Sequence, residues 1–522
     1  MKVKRLYLLP LFSLLLTSCF NSGSSSSKPQ KQVVNYYETE QGVYKAKSIF
    51  NYKSIQNNSI YRLSYSPSTG DSNLLIIPIW FNDSSDYIAT SKKESIRNDI
   101  RLAYFGNEEE TGWESVSSYY KKDSYNKLNL IGEVTPWYEI NRSSTEFYEE
   151  SSGGKLTNQL VSDAVNWYKG ISGKQNLLDF DKDHDGYLDG VMLIYGSPNY
   201  RSLDIINAGN MWAYAFWLQD PYKKNVDNPG PNAFFWASYD YMYSKGIDAL
   251  ERTGKTNYGY GDSTYCKIDA HTYIHEMGHI LGLVDYYDYS DETSPGGLFS
   301  MQDGNMGDHD PFSKLALGWV DPYIPLTNKT FTIKNLTEYG ELVLLKPNSL
   351  YTSPFDEYIL LELYSPNGLN KFDVDHAYLD NDKGPSGVGV RVWHVDARLF
   401  SITATDPFGN PTKGYITNNP EYGRIMSATS NSTSGTQAVS WAGSFYYNTL
   451  QLIRRSKIMD YKTKSVLSSS DLFKKGDTFS LADYSSQFVN GSIGKLNNGA
   501  SFNWKIAFDQ ISLTEMTITL IV

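Results

Sequence analysis

The segment from His275 to Asp285, HEMGHILGLVD, constrains this chain more than any other feature. Residues four apart on an α-helix lie on the same face, so His275 and His279 can bind one metal ion. Glu276 points about a third of a turn away, where it can reach a water molecule without being a ligand. Gly282 lets the backbone leave the helix in a left-handed conformation, and the chain can then bring Asp285 back toward the metal.

This set of residues predicts a catalytic zinc site. Three protein ligands and one water are typical of catalytic zinc, whereas structural zinc sites are usually closed by four ligands rich in cysteine. The chain has only two cysteines, which excludes a cysteine-closed zinc site. The alternative is an ordinary helix with surface histidines, because HExxH also occurs by chance. The extension to Gly282 and Asp285 favours the catalytic interpretation.

The sequence beyond this helix extends the pattern. HEMGHILGLVDYYD is followed by GGLFSMQDGNMGDHDPFSKLALGWVDP. An HExxHxxGxxD segment followed by a methionine turn resembles the immune inhibitor A family of metzincin-like zinc peptidases. The segments 115–138, 179–196 and 387–399 resemble further blocks of that family, in the same order. The resemblance therefore extends well beyond the HExxH pentapeptide.

The resemblance implies that His275, His279 and Asp285 bind zinc and that Glu276 is the catalytic base. It places Met301 in the turn beneath the zinc, where its thioether is expected to pack rather than bind. In such a site Glu276 takes a proton from the zinc water, whose pKa falls toward ~7, and later delivers it to the leaving amine. We therefore expect protein or peptide substrates. The 42 tyrosines offer no basis for choosing an oxyanion-stabilising residue.

A second metal site is predicted in the acidic segment DKDHDGYLD. Its expected oxygen ligands lie at alternate positions, as in the first half of an EF-hand loop, with Gly186 at the sharp bend. These ligands are the side chains of Asp181, Asp183, Asp185 and Asp189 and the backbone carbonyl of Tyr187. Calcium is the expected ion, although Met192 replaces the bidentate glutamate of a complete EF-hand. The alternative is a solvated acidic turn.

The amino terminus resembles a bacterial lipoprotein signal. Basic residues precede an apolar run from Leu6 to Leu16 that is too short to span a bilayer comfortably. The sequence LTSC then looks like a lipobox, at which Cys19 is lipidated and becomes the first residue of the mature chain. A conventional signal peptide with nearby cleavage is the alternative. We expect an extracytoplasmic protein attached to a bacterial membrane through a lipid on Cys19.

Residue patterns along the chain predict its organisation. Alternating strands and helices, including a buried strand at 74–81 and a helix at about 156–169, predict an α/β (α+β) zincin-like sheet. Residues 200–265 lack a clear period and are expected to form long loops around a cleft. Short alternating apolar runs after residue 322 predict β-rich, sandwich-like structure. The expected parts are a signal peptide (1–18), a tether (19–35), a segment of unknown role (36–72), a catalytic domain (73–322) and a β-rich region (323–522).

Charge narrows the range of partners. The chain has 47 basic and 58 acidic residues and a net charge of −11, which disfavours nucleic acid as a partner.

We expect a monomer. The leading hypothesis is a lipid-anchored zinc endopeptidase. Two alternatives are a catalytically idle binding module on the same scaffold and a peptidase restricted to glycoprotein substrates.

Overall fold

The positions of the helices and strands come from a computed structural model, which describes most of the chain from Asn35 onward. The described residues are 35–47, 65–150, 154–173, 176–203, 211–218, 224–243, 247–255, 258–260, 266–287, 295–347, 351, 353–379, 381–401, 415–416, 423–425, 448–457, 466–487 and 494–522. The predicted signal peptide, Cys19 and nearly all of the predicted tether lie outside these residues.

Helices and strands alternate in the first part of the described chain, and strands dominate the second part. The described strands are β1 (Asn35–Glu38), β2 (Tyr44–Lys47), β3 (Gly70–Trp80), β4 (Leu128–Val134), β5 (Tyr138–Glu139), β6 (Gly190–Tyr195), β7 (Tyr214–Trp217), β8 (Ala233–Ser238), β9 (Tyr323–Ile324), β10 (Lys329–Lys334), β11 (Val343–Leu345), β12 (Glu357–Tyr364), β13 (Gly389–Asp396), β14 (Leu399–Ser401), β15 (Tyr415–Ile416), β16 (Gly423–Ile425), β17 (Leu450–Ile453), β18 (Thr478–Ser480), β19 (Lys505–Ile511) and β20 (Glu515–Ile521). The described α-helices are α1 (Lys93–Phe105), α2 (Glu108–Thr111), α3 (Val116–Asp123), α4 (Ser144–Tyr148), α5 (Lys155–Ser172), α6 (Ile247–Thr253), α7 (His271–Leu281), α8 (Met301–Gly304), α9 (Pro311–Ala316), α10 (Leu336–Tyr339) and α11 (Lys371–Asp375).

A mostly parallel sheet organises the first part. Its strand order is β4-β3-β6-β8-β7, and β5 pairs with the end of β3. Among the described strands of this sheet, only β7 runs antiparallel to its neighbour. The apolar sequence of β3 explains its central place, because strands of a parallel sheet are covered by other elements on both faces. Leu74 and Ile76 of β3 face one core, and Leu75 and Ile77 face another.

Helices cover both faces of this sheet. Helix α5 packs on one face, where Leu160, Val161 and Val165 share a core with Leu75 and Ile77. Helices α1, α3 and α7 contribute to the core on the opposite face. The zinc-motif helix α7 contacts β7 and β8, the antiparallel edge of the sheet. This packing places the motif residues beside that edge.

Two further sheets pack face to face in the second part. One has the order β1-β2-β9-β11-β12-β13-β17, and the other has the order β10-β20-β19-β18. Alternate side chains of both sheets form a common core that includes Leu361, Val392, Phe331, Ile506 and Ile518. The opposite face of the larger sheet, including Leu360 and Trp393, belongs to the core that also contains α7. One face of the larger sheet thus packs against the four-stranded sheet, and its other face packs in the core that contains α7.

The predicted segment of unknown role begins as part of the larger sheet. Strands β1 and β2 form a hairpin, and β2 pairs antiparallel with β9. Gln41 in the hairpin turn exchanges hydrogen bonds with the backbone of Thr332, at 2.7 and 2.8 Å. The Tyr36 hydroxyl donates to the carbonyl of Tyr351 at 2.5 Å. Residues 35–47 are therefore bound to the β-rich region by strand pairing and side-chain hydrogen bonds.

The mixed α/β class predicted from sequence is confirmed, with differences in detail. The expectation of long loops over 200–265 is wrong in part, because β7, β8 and α6 lie there. Strand β8 consists of aromatic and small residues without an alternating period, because both of its faces are buried. The helix predicted at 156–169 is longer, Lys155–Ser172. The described residues, from Asn35 to Val522, belong to one compact unit. Among the described helices, none combines the length and apolarity needed to cross a bilayer.

Candidate metal centre

Helix α7 carries three of the predicted site residues, His275, Glu276 and His279. It ends at Leu281, and the following Gly282 has a left-handed φ of 110°, as the sequence predicted. The Leu283 N–H then donates to the Gly278 carbonyl at 2.9 Å, which closes the last turn. This exit reverses the chain and brings Asp285 to the two histidines.

The two imidazoles and the carboxylate converge on one point. Asp285 Oδ1 lies 2.9 Å from His275 Nε2 and 3.3 Å from His279 Nε2. One ligand atom from each of the three residues lies within 4.8 Å of the others, which suits a single metal ion. The imidazole rings are nearly perpendicular, at 88°, with centroids 4.9 Å apart. Two nitrogens and one oxygen form the donor set of a catalytic zinc site.

Backbone carbonyls orient both rings. His275 Nδ1 lies 2.8 Å from the Met301 carbonyl, and His279 Nδ1 lies 2.9 Å from the Leu283 carbonyl. A carbonyl can only accept, so each Nδ1 carries a proton, and each Nε2 faces Asp285, where it becomes available to a metal once it is deprotonated. Metal-binding histidines almost always donate their second nitrogen in this way. The arrangement fits a metal bound through both Nε2 atoms.

Met301 acts in this geometry through its backbone. It is the first residue of α8 and is fully buried in the core beneath α7. Its side chain packs, as expected, and its carbonyl orients His275. The carbonyl contact was not predicted, because it depends on the path of a loop rather than on residue type.

Glu276 is buried beside the two histidines and is 7% exposed. Burial raises the pKa of its carboxyl group, although the charges of His279 and His275 oppose this rise. Its Oε2 has no hydrogen-bond partner among the described residues. Its carboxylate also accepts a hydrogen bond from the backbone of Ala215 on β7. A buried carboxylate with one oxygen available is suited to accept a proton.

Two neighbours of the site were missed by sequence reasoning. The Tyr287 hydroxyl makes a hydrogen bond to Asp285, and burial raises the pKa of that hydroxyl. Gln302 packs against Gly278, where an added Cβ would lie 2.2 Å from Gln302 Oε1. Gly278 in the HEMGH sequence therefore makes room for Gln302. Tyr287 lies two positions after Asp285, and Gln302 directly follows Met301. These positions were the only sequence signals for the two residues.

A buried network of charges extends from Gln302. Its amide lies 3.5 Å from His279 Nδ1 and 3.3 Å from His309 Nε2. His309 Nδ1 contacts Asp123 at 2.6 Å, and Asp123 also accepts from Lys314 Nζ at 2.6 Å. The side chains of Asp123, His309 and Lys314 are fully buried. The candidate metal centre is thus backed by a buried group of ion pairs, in which Lys314 also contacts Asp308 Oδ1 at 2.8 Å.

The acidic loop brings three of its predicted ligands together. Carboxylate oxygens of Asp181, Asp183 and Asp189 lie within 4.8 Å of one another. Asp181 also accepts from the N–H groups of Asp185 and Gly186, each at 3.0 Å. Burial raises the pKa of Asp181. Three carboxylates held this close together repel one another, and a bound cation would offset that repulsion.

The other predicted residues of this loop lie at and after its bend. Gly186 has a φ of 88°, as a sharp bend requires, and an added Cβ there would lie 2.8 Å from Lys224. The Asp185 carboxylate is outside the three-residue group and accepts from the Tyr187 N–H at 2.9 Å. Tyr187 forms an isolated bridge with Gly230. Asp185 and Tyr187 thus shape the turn in this structure.

Comparisons with known proteins were made for the chain, and no family model and no curated protein matches it. The resemblance to the immune inhibitor A family therefore stays a prediction from the motifs. The geometry of the three ligands and of Glu276 is the basis for assigning a function.

Proposed function

We propose that this protein is a zinc-dependent endopeptidase with a zincin-like, metzincin-like catalytic region, related to the immune inhibitor A family. The observation that carries the proposal is the convergence of His275, His279 and Asp285 beside the buried Glu276. Both imidazoles already present the nitrogen that a metal needs, so the donor set fits zinc without rearranging the helix.

The chain's own groups supply the proton transfers of peptide hydrolysis. A bound zinc supplies a water of lowered pKa, near ~7, and polarises a carbonyl. Glu276 accepts a proton from the attacking water and delivers it to the nitrogen of the leaving amine. The raised pKa of Glu276 brings the carboxyl closer to the range in which it can both accept and return a proton.

The edge strand β7 supports a peptide as the substrate. Within the described strands, β7 pairs on one side only, with β8. The N–H of Leu218, the residue after β7, points toward β8. The Ala215 N–H points to Glu276 and therefore lies on the opposite, outer edge of β7. An extended peptide that pairs with the outer edge of β7 would therefore pass beside the catalytic base. Extended binding of this kind suits an endopeptidase.

Zinc content and casein cleavage test the proposal together. A fragment of residues 33–522, which lacks the lipid anchor and most of the tether, is expected to contain one zinc per chain and to cleave casein. A chelator should abolish cleavage, and added zinc should restore it. A chain without zinc would contradict the proposal. Zinc without cleavage would favour a binding module or a peptidase restricted to glycoproteins.

We also propose calcium at Asp181, Asp183 and Asp189, where it stiffens the loop before β6. Calcium is expected to raise the Tm of the wild type, because an ion that binds the folded state and not the unfolded state stabilises the folded state. Asp183→Ala should remove most of this calcium-dependent rise, and the exposed control Asp163→Ala should keep it. Differential scanning calorimetry with and without calcium measures both. An unchanged Tm of the wild type on adding calcium would contradict this site.

The lipid anchor at Cys19 is likewise a proposal, because Cys19 lies outside the described residues. It rests on the LTSC sequence that follows an apolar run. An extracytoplasmic location at a bacterial membrane follows from it. Incorporation of labelled palmitate into the wild type, and its loss in Cys19→Ser, would test the attachment.

A further inference from the structure

A buried, charged histidine begins the zinc-motif helix. His271 is the first residue of α7, one turn before His275, and it is completely buried. Its Nδ1 lies 2.7 Å from Asp269 Oδ1, and its Nε2 lies 3.2 Å from Asp373 Oδ1. The two carboxylates hold the ring from its two nitrogens.

Aromatic rings enclose the same imidazole. Trp113 stacks on one side with a centroid distance of 3.9 Å and an angle of 13°. Tyr378 stacks at 4.3 Å and 25°. Burial alone would lower the pKa of His271, but Asp269 and Asp373 outweigh it and raise the pKa to about 10. His271 is therefore an imidazolium at neutral pH, and the adjacent aromatic faces suit a cation.

A cation at this position needs compensation. The amino terminus of a helix carries a partial positive charge, so an imidazolium in the first turn is unfavourable by itself. Asp269 Oδ1 offsets this by also accepting the backbone N–H of His271 at 2.9 Å. Asp373 comes from α11, in the β-rich region, and is fully buried. The start of the zinc-motif helix thus depends on a residue distant in sequence.

Asp373 also binds the loop that orients the first zinc ligand. Its Oδ2 accepts from the Gly307 N–H at 2.7 Å. Nearby, Asn370 accepts from the Asp308 N–H at 3.0 Å. The segment 301–308 begins with Met301, whose carbonyl orients His275. One carboxylate therefore contacts both α7 and the 301–308 segment.

We propose that Asp373 is a positioning residue that couples helix α7 to the 301–308 segment through His271 and Gly307, and thereby sets the geometry and affinity of the zinc site. The inference rests on the proposed function for its zinc and catalytic effects. Its structural part, the coupling of two segments, does not require zinc. The predicted catalytic region 73–322 is then incomplete without α11 of the β-rich region.

A second buried carboxylate provides a matched control. Glu357 is fully buried, lies 2.9 Å from His394 Nε2 and accepts from the Asn498 N–H at 2.7 Å. It joins a buried histidine to a backbone amide, as Asp373 does, but its partners are on β13 and in the loop before β19. Glu357→Ala should therefore destabilise the fold without a selective effect on the zinc site.

The test compares Asp373→Ala, Asp373→Asn and Glu357→Ala in the full-length protein purified in detergent. For Asp373→Ala, we expect the zinc Kd to rise by about 10-fold, the lower end of the effect of groups that contact metal ligands directly, because Asp373 acts through the 301–308 segment. The kcat for casein should fall while KM is retained. In the metal-free protein, amide hydrogen exchange should accelerate in both 271–281 and 301–308, and the control helix α5 should be unchanged.

The outcomes separate this inference from the zinc peptidase itself. If the wild type binds no zinc, the proposed function fails, and hydrogen exchange alone decides the coupling. Equal zinc Kd and equal exchange in Asp373→Ala and Glu357→Ala would overturn the inference. If Asp373→Ala does not fold, Asp373→Asn carries the test, because it keeps an acceptor for Gly307 but removes the charge facing His271. Wild-type values for Asp373→Asn would then overturn the inference.

Discussion

Replacing Glu276 by glutamine is expected to lower kcat for casein by roughly 10²–10⁴-fold, the usual contribution of a general acid–base group. Glutamine has nearly the same shape but cannot accept a proton from water. The three ligand residues are unchanged, so the zinc content should stay that of the wild type. Steady-state kinetics on zinc-loaded protein, with metal analysis of the same sample, measures both quantities.

A control separates this loss from the effect of removing one negative charge. Glu109 is exposed, and Glu109→Gln changes the net charge by the same amount. It should keep wild-type kcat. Full activity of zinc-loaded Glu276→Gln would exclude Glu276 as the base. Loss of zinc in that variant would instead show that Glu276 contributes to metal binding, contrary to the assignment made here.

Replacing Asp123 by alanine is expected to lower the free energy of unfolding by up to roughly 3–5 kcal/mol, because it removes a buried carboxylate that pairs with both His309 and Lys314, and only Lys314 keeps a second carboxylate, Asp308 at 2.8 Å. Asp123 contacts Lys314 and His309, all three fully buried. Burial alone would raise the pKa of Asp123, but Lys314 and His309 outweigh it and hold the pKa below its usual range. Its contribution is therefore present above about pH 3.9 and declines as the pH falls further.

Urea unfolding followed by tryptophan fluorescence at neutral pH measures this loss. The exposed ion pair of Lys371 with Asp375 is the control, and Asp375→Ala should change stability little. A loss in Asp123→Ala no greater than that in Asp375→Ala would contradict this explanation, because the buried carboxylate would then contribute no more than an exposed one.

Local sequence was sufficient to predict part of the site. The four-residue spacing of His275 and His279 places them on one helix face whatever the rest of the chain does. A glycine after the helix favours a left-handed exit, and Gly282 adopts one. The alternating aspartates with Gly186 similarly predict a tight acidic turn. These features depend on residues close together in the chain.

The predicted strand at 74–81 is confirmed, although β3 begins earlier, at Gly70, and ends at Trp80; a continuous apolar run is typical of a strand buried on both faces. The loops expected over 200–265 were partly wrong for a related reason. Strand β8 is buried on both faces and has no alternating pattern to distinguish it. Strand β7 has only four residues, too few for periodicity to identify.

Sequence alone thus determined the zinc-motif helix, its glycine exit and the acidic turn, because their geometry follows from backbone periodicity and from the conformational freedom of glycine. Tertiary structure alone decided which groups surround them. The carbonyl of Met301 beside His275 and the carboxylate of Asp373 beside His271 are 26 and 102 residues away in the chain. No local pattern marks such contacts, since they arise only when two distant segments pack against the same helix.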